Sequence, residues 1–274
     1  MTGIVLGMPE DTYHAHSALS STQAKLLLDS PAMYDWVVTQ GHRTEKAAFD
    51  LGSAIHAEVL GSGYDVVELD FDDFRSAAAR TARDEVRAAG KIPMLRKDMT
   101  EVHATAQAVL AHPRGRALLE REGDAEASVF ATDPATGVQM RCRFDFLPAD
   151  RRVAVDLKTA RKGHAKVHKF ASSIVEYGYD VSWAWYTRTA ELAREAVTDL
   201  VFLVVETEPP YHLAVYRLND EFKEIGEAKA LRAREIFARC TETGEWPGLP
   251  TDIQVIRPPQ YAIYQHIDDM ETSS

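Results

Sequence analysis

Asp145, Asp156 and Lys158 are residues whose types and spacing could do chemistry together. Asp145 lies in the run Met140-Arg141-Cys142-Arg143-Phe144-Asp145-Phe146, where Met140, Cys142, Phe144 and Phe146 alternate with polar residues as in a half-buried strand. Asp156 and Lys158 lie in the β-branched run Val153-Ala154-Val155-Asp156-Leu157-Lys158-Thr159, and the turn signal Pro148-Ala149-Asp150 separates the two runs. Residues two apart in a strand share a face, so Asp156 and Lys158 project together. Pairing of the runs as a hairpin would bring Asp145 to the same point. Two carboxylates and an ammonium at one place suit a hard divalent cation and a positioned water.

The elements around these runs can be read in outline. Glu126–Thr132 reads as a strand, and Asp133-Pro134-Ala135-Thr136-Gly137 turns it into the Asp145 strand, so 126–158 is expected to be a three-stranded antiparallel meander. Glu126 sits there either as an edge-strand charge or as a ligand. Upstream, Ser20 with Gln23 has capping-box spacing, and Ser30-Pro31 opens a further turn. A helix is expected over 46–60, with Leu51, Ile55 and Val59 on one stripe. His56 flanks that stripe, as a core histidine or a ligand would. A strand is expected at 66–69 and helices at 76–89, 99–111 and from Pro113. Residues 1–19 read as extended and 159–169 as a basic loop. Downstream come a helix over 179–195 carrying Tyr186, a strand at 199–206 buried on both faces, a strand at 211–217 and a helix over 221–241. The pattern implies an α/β fold with a mixed sheet in one domain, 1–250, comprising a helical part, 20–122, and a core, 123–241. Residues 251–274, with Pro258-Pro259, read as an extended tail.

Composition narrows the functional classes. The chain has 274 residues and a net charge of -11, which argues against a general polyanion binder. Residues 151–169 nevertheless hold seven Lys or Arg against one acid, Asp156. That run is a solvated face or a phosphate-binding surface, with Arg161, Lys162, Lys166 and Lys169 the candidates to face phosphates. Cys142 and Cys240 are far apart and fit neither a disulfide framework nor metal-ligand spacing, as expected in a reducing cytosol. No apolar run is long enough for a membrane span, and the N-terminus shows no signal-peptide pattern, so a cytoplasmic protein with no membrane partner is expected.

Asp145, ten residues, then Asp156-Leu157-Lys158 resembles the PD-(D/E)xK nuclease signature. Gly52-Ser53-Ala54-Ile55-His56 on a helix, Glu126 on the preceding strand, Arg143-Phe144-Asp145, and Tyr177-Gly178-Tyr179 leading to Tyr186 follow in one order. Together with Tyr13-His14 and Leu19-Ser20-Ser21-Thr22, they are similar to the exonuclease VIII (RecE-type) branch, related to lambda exonuclease and RecB-like nuclease domains. The resemblance spans residues 10–245. It implies a restriction-endonuclease-like sheet flanked by helices, with His56, Asp145, Asp156 and the Leu157 carbonyl as metal ligands. Lys158 would orient or activate the attacking water, and Glu126 would assist a second metal. It further implies Mg²⁺, with Mn²⁺ as substitute, as one or two ions acting on double-stranded DNA ends. A 5′ to 3′ exonuclease of a bacterial or phage-infected cell, a ring-like homo-oligomer and a single-strand annealing recombinase as partner follow from the same likeness. Ser182 stands where the family carries a Gln that contacts the site or the DNA end, while Tyr186 is kept. That departure leaves open a catalytically weak DNA-end-binding protein.

Overall fold

The computed structural model describes residues 2–42 and 47–272, with the side chains of residues 47–49 and 271 left aside. In chain order the elements are β1 (Gly3–Val5), α1 (Glu10–Ala15), α2 (Ser21–Asp29), α3 (Pro31–Tyr34) with a π-helical turn at Asp35–Thr39, and α4 (Ala47–Leu60). Next are β2 (Val66–Leu69), α5 (Ala77–Ala88), β3 (Ile92–Leu95), α6 (Arg96–Ala111) and α7 (Pro113–Leu119). The second half holds β4 (Gly123–Thr132), β5 (Gln139–Pro148), β6 (Val153–Ala160), α8 (Val167–Tyr177), α9 (Tyr179–Leu192), β7 (Asp199–Glu206), β8 (Leu213–Tyr216), α10 (Asp220–Thr243) and α11 (Gln260–Thr272).

Six strands form one mixed sheet in the order β1-β4-β5-β6-β7-β8. The expected meander is present: β4 pairs antiparallel with β5, and β5 with β6. β6 then pairs in parallel with β7 along its whole length, the crossover being made by α8 and α9. The unbroken apolar sequence of β7 fits its place, since every residue from Asp199 to Glu206 is buried. Helices cover both faces, the α/β architecture expected. On one face Leu27 of α2, Phe170 and Ile174 of α8, Trp183 and Trp185 of α9 and Ala230 and Ala233 of α10 pack over Phe144, Ala154, Phe202 and Val204. On the other, Ala54, Ile55 and Val59 of α4 and Val102, Ala106 and Val109 of α6 pack over Phe146, Val155, Leu157, Leu203 and Val205.

Local sequence explains the elements that frame the site. α2 starts in a full capping box: the Ser20 hydroxyl accepts from the Gln23 N–H at 3.3 Å, and the Gln23 side chain accepts from the Ser20 N–H at 2.9 Å. α8 ends at Gly178, whose φ of +62° is left-handed, and α9 begins at once. A Cβ at Gly178 would also come within 3.2 Å of the Lys25 side chain. The two helices can therefore meet at a sharp joint with Tyr177 and Tyr179 on either side.

Several expectations are corrected. Residues 167–177 form α8, so the basic loop ends at Lys166; Phe170 and Ile174, four apart, supply a buried helical stripe within the charged run. β1, α1 and β3 arise where extended chain or no strand was read; these short elements are held by pairing and packing that local periodicity does not carry. The tail is helical over Gln260–Thr272, with Pro259 just before its first turn and Ile263, Ile267 and Met270 at helical spacing. Arg151 and Arg152 precede β6, at the opposite end of that strand from Lys158, and Arg151 Nη1 lies 2.7 Å from Glu195. The basic run is thus split by the strand. None of the described helices is long and apolar enough to cross a membrane.

Asp199 ties β7 to the helices. Its carboxylate accepts from Trp183 Nε1 at 2.7 Å, the Leu200 N–H at 2.9 Å and Arg217 Nε at 2.9 Å, with Lys223 Nζ at 3.4 Å. Burial opposes its ionisation, but these donors outweigh that cost and hold its pKa below the ordinary carboxylate value. A depressed folded-state pKa contributes stability above the ordinary value that is lost as pH falls through the lowered one. Asp199→Asn is expected to lower unfolding stability at pH 7 by about 2 kcal/mol. The gap from wild type should narrow in urea unfolding as the pH is brought below about 4; a gap constant with pH would show that the charge is not what matters.

Candidate active site

β5 and β6 part company at Asp145. Their register holds the single pair Phe146↔Val155. Beyond it the Leu157 N–H donates to the Asp145 carboxylate at 2.6 Å. The alternation of β5 also breaks there: Met140, Cys142 and Phe144 face one core cluster, whereas Phe146 belongs to the other. This corrects the single apolar face read from the sequence. The break places Asp145 in the gap between strands, where it can meet groups from both faces.

From one face, Asp156 and Lys158 project together as expected, with Lys158 Nζ 2.7 Å from Asp156 Oδ1. From the other, α4 presents His56, whose Nδ1 is 3.6 Å from Asp145 Oδ2. His56 also makes a hydrogen bond with the Leu157 backbone. Glu126 lies on β4 between Ala125, paired with Phe146, and Ala127, paired with Phe144, and so falls opposite Asp145. Its φ of +54° is left-handed, a conformation disfavoured for a residue with a Cβ. The side chains of His56, Glu126 and Asp145 offer ligand atoms within 4.8 Å of one another. Asp156 stands outside that triplet, its carboxylate turned to Lys158.

The electrostatics fit a cation at this point. Burial, then Asp156 and Glu126, drive the Asp145 carboxyl well above its ordinary pKa, against the opposing pull of Lys158. Burial and Glu10 push Glu126 up to about 7 despite Arg143. Burial, with Lys158 nearby, brings His56 down to about 4, so its ring is neutral and can ligate. Desolvation opposes charge on Lys158, but Asp156 and Asp145 outweigh it and raise its pKa. The site thus gathers more carboxylates than its ammonium can neutralise, together with a neutral imidazole. That donor set, oxygen with one nitrogen, suits a hard or borderline divalent ion.

The other expected residues divide. Arg161, Lys162, Lys166 and Lys169 are exposed on the loop and first turn of α8 that follow Lys158. Tyr186 packs edge-on against Phe144, with ring centroids 5.4 Å apart, and lies within electrostatic reach of Asp145 and Asp156. Ser182 is buried one turn earlier on α9. Leu157 is fully buried, and its backbone serves both Asp145 and His56. Sequence reasoning missed Lys25 and Glu10, and it quoted Tyr179 in the resemblance without giving it a role. The Lys25 and Lys158 ammonium groups lie 5.6 and 5.2 Å from the Tyr179 ring centroid, and burial beside Lys158 brings the Lys25 pKa down to about 8. Lys25 sits in an amphipathic helix where a lysine raises no signal, and Glu10 lies in a stretch without readable periodicity.

A family model, the PDDEXK-like domain of unknown function (DUF3799), matches residues 20–259. The chain belongs to this family. No curated protein matches it. Among solved structures it resembles a candidate exonuclease from Eubacterium rectale, with a TM-score of 0.59 at 11% identity over 95% of this chain and 98% of that one. A phage-related exonuclease from Haemophilus somnus aligns with 85% of this chain and 99% of its own at 10% identity, with a TM-score of 0.37, too loose to carry an argument. The likeness to the E. rectale protein shows a shared fold, and the PD-(D/E)xK resemblance read from the sequence holds at the level of the superfamily.

Glu126 combines a strained backbone with an unfavourable charge. Glu126→Gly removes both, so unfolding stability in chelator is expected to rise by about 1 kcal/mol, while affinity for Mn²⁺ in titration calorimetry falls. A less stable variant would show that Glu126 is held by favourable contacts instead.

Proposed function

We propose that this protein is a metal-dependent DNA exonuclease that hydrolyses phosphodiester bonds from duplex ends. The observation that carries the reading is the meeting of Asp145, Asp156, Lys158, His56 and Glu126 at one break in the sheet, with His56, Glu126 and Asp145 within ligand distance of a common point. The E. rectale relative, named as a candidate exonuclease, has the same fold.

His56, Glu126 and Asp145, with Asp156 and the Leu157 carbonyl at their edge, would hold Mg²⁺, or Mn²⁺ in its place, as one or two ions that supply Lewis acidity at the scissile phosphate and make water a stronger nucleophile. Lys158, kept protonated by Asp156 and Asp145, donates to the water and to the phosphate oxygens and so orients attack without taking a proton. The Asp145 bond to the Leu157 N–H fixes β6 in place beneath it, which sets where the ammonium points. Arg161, Lys162, Lys166 and Lys169 grip backbone phosphates without reading sequence. Tyr186 buttresses Phe144 behind Asp145. A 5′ to 3′ polarity, work in phage-type recombination within the cytoplasm, a homo-oligomer and a single-strand annealing partner belong to the same reading and rest on the RecE-type resemblance. The second reading, a catalytically weak DNA-end-binding protein that recruits such a partner, draws on Ser182 in place of the family Gln.

The test is degradation of end-labelled linear duplex beside closed circular DNA in Mg²⁺, in Mn²⁺ and in chelator. Loss of linear DNA alone, requiring metal, is expected, with Asp156→Asn and Lys158→Met each lowering the rate by at least about a hundredfold. Loss of circular DNA as well would make the enzyme an endonuclease. DNA bound but uncut, with the variants like wild type, would leave the end-binding reading.

A further inference from the structure

Beyond the metal-ligand cluster, on the α8–α9 side of Lys158, lies a cavity of about 300 Å³. Lys158, Arg161, His164, Tyr177, Tyr179 and Phe170 are among its lining residues. Its aromatic wall is built with some care. Phe170 is buried and stacks on Tyr216 with centroids 5.1 Å apart and planes 15° from parallel. Tyr216 is tied in turn by its hydroxyl to the Ala165 carbonyl. Tyr179 leans on Phe170 at 5.9 Å, and Tyr177 on Tyr179 at 5.7 Å. The left-handed Gly178 between the two tyrosines allows both to border the cavity. Tyr177 is 51% exposed, and among the described residues its ring partner is Tyr179 alone, so its other surface is open. The polar rim is cationic: Lys158 on one side, and on the other Arg161, whose Nε donates to His164 Nε2 at 2.8 Å.

We propose that this cavity is a nucleotide subsite, taking one deoxynucleoside monophosphate next to the scissile bond, with its base stacked on Tyr177 and its phosphate between Lys158 and Arg161. The inference rests on the nuclease reading, in that Lys158 serves both the reacting phosphate and this rim. The volume is at the small end of ligand pockets, enough for a mononucleotide and too small for a stacked duplex end. Every base has a π-face, so stacking on tyrosine favours no sequence, as suits an enzyme that removes nucleotides in turn. A purely phosphate-binding pocket would have no use for an exposed aromatic wall.

Titration calorimetry in chelator tests the subsite without calling on catalysis, with 5′-dAMP, 3′-dAMP and inorganic phosphate as separate probes. Binding of one of the two nucleotides, tighter than phosphate, is expected, and which one binds shows which side of the scissile bond the pocket holds. Tyr177→Ala should weaken that binding roughly tenfold, Tyr177→Phe should restore it, and Arg161→Ala should weaken nucleotide and phosphate alike. Equal binding of phosphate and nucleotide, indifferent to Tyr177→Ala, would overturn the proposal, as would no nucleotide binding at millimolar concentration. The two readings separate cleanly. Nucleotide binding by a protein that cuts no DNA keeps the subsite and removes the nuclease, while DNA cleavage without nucleotide binding does the reverse.

Discussion

Asp145 takes the Leu157 backbone N–H at 2.6 Å, a donor that lies just where the β5–β6 ladder gives out. A buried N–H must find an acceptor, and a carboxylate makes a stronger bond than a neutral carbonyl does. The exchange costs β6 its partner on one side over the stretch that carries Asp156 and Lys158. The strand stays in place because its other edge is paired without interruption, from Val153↔Asp199 to Ala160↔Glu206. The parallel β6–β7 ladder and its fully buried β7 are therefore what allow β5 to separate. Were the ladder continued, the Leu157 N–H would be taken by a backbone acceptor on β5, and the Asp145 carboxylate would lose the donor that fixes it.

The same gap sets the charge balance. Asp145, Asp156, Glu126 and Glu10 interact electrostatically in a partly buried space, and Lys158 is the ammonium in direct contact. Burial first, and then the neighbouring carboxylates, hold Asp145 and Glu126 above their usual pKa values. A divalent ion placed among these carboxylates would relieve their mutual repulsion. The chain as a whole carries -11, yet Lys158, Arg161, Lys162, Lys166 and Lys169 follow one another on the C-terminal side of β6. The strip beside the acidic cluster thus carries a sign opposite to that of the chain as a whole.

Much of this arrangement was legible because it is local. Asp156 and Lys158 are two apart on a strand, and strand geometry alone puts them together. The Ser20 capping box, the 66–69 strand and the buried 199–206 strand are likewise set by short-range pattern. What was not legible depends on long-range structure. The alternation of Met140, Cys142, Phe144 and Phe146 promises one face, and only the Asp145–Leu157 bond, between residues on different strands, shows why Phe146 turns to the other. α8 was hidden because its polar face shares residues with the basic run, and its buried stripe is short. Glu126 could be placed on a strand, but nothing in its neighbours signals a left-handed φ. Lys25 enters through the packing of α2 against Gly178, a contact across the fold.

The N-terminal segment shows how a site can draw on chain outside the region matched by its family, which begins at residue 20. Arg143 is buried, and its guanidinium bonds Ser128 Oγ and the Met8 carbonyl, each at 2.8 Å, with Glu10 Oε1 at 3.2 Å and the Tyr13 ring centroid 4.2 Å away. Arg141, two residues back on the same face, donates to the carbonyls of Tyr13 and His16. A buried guanidinium is tolerated only when its donors are used, so the two arginines fix the path of residues 8–16 across the sheet. That path brings Glu10 close to Glu126, with Arg143 between them and 4.0 Å from Glu126. Shared between two acids, Arg143 neutralises neither completely. The electrostatic environment of Glu126 is thus set in part by a helix, α1, that contributes no atom to the His56, Glu126 and Asp145 triplet.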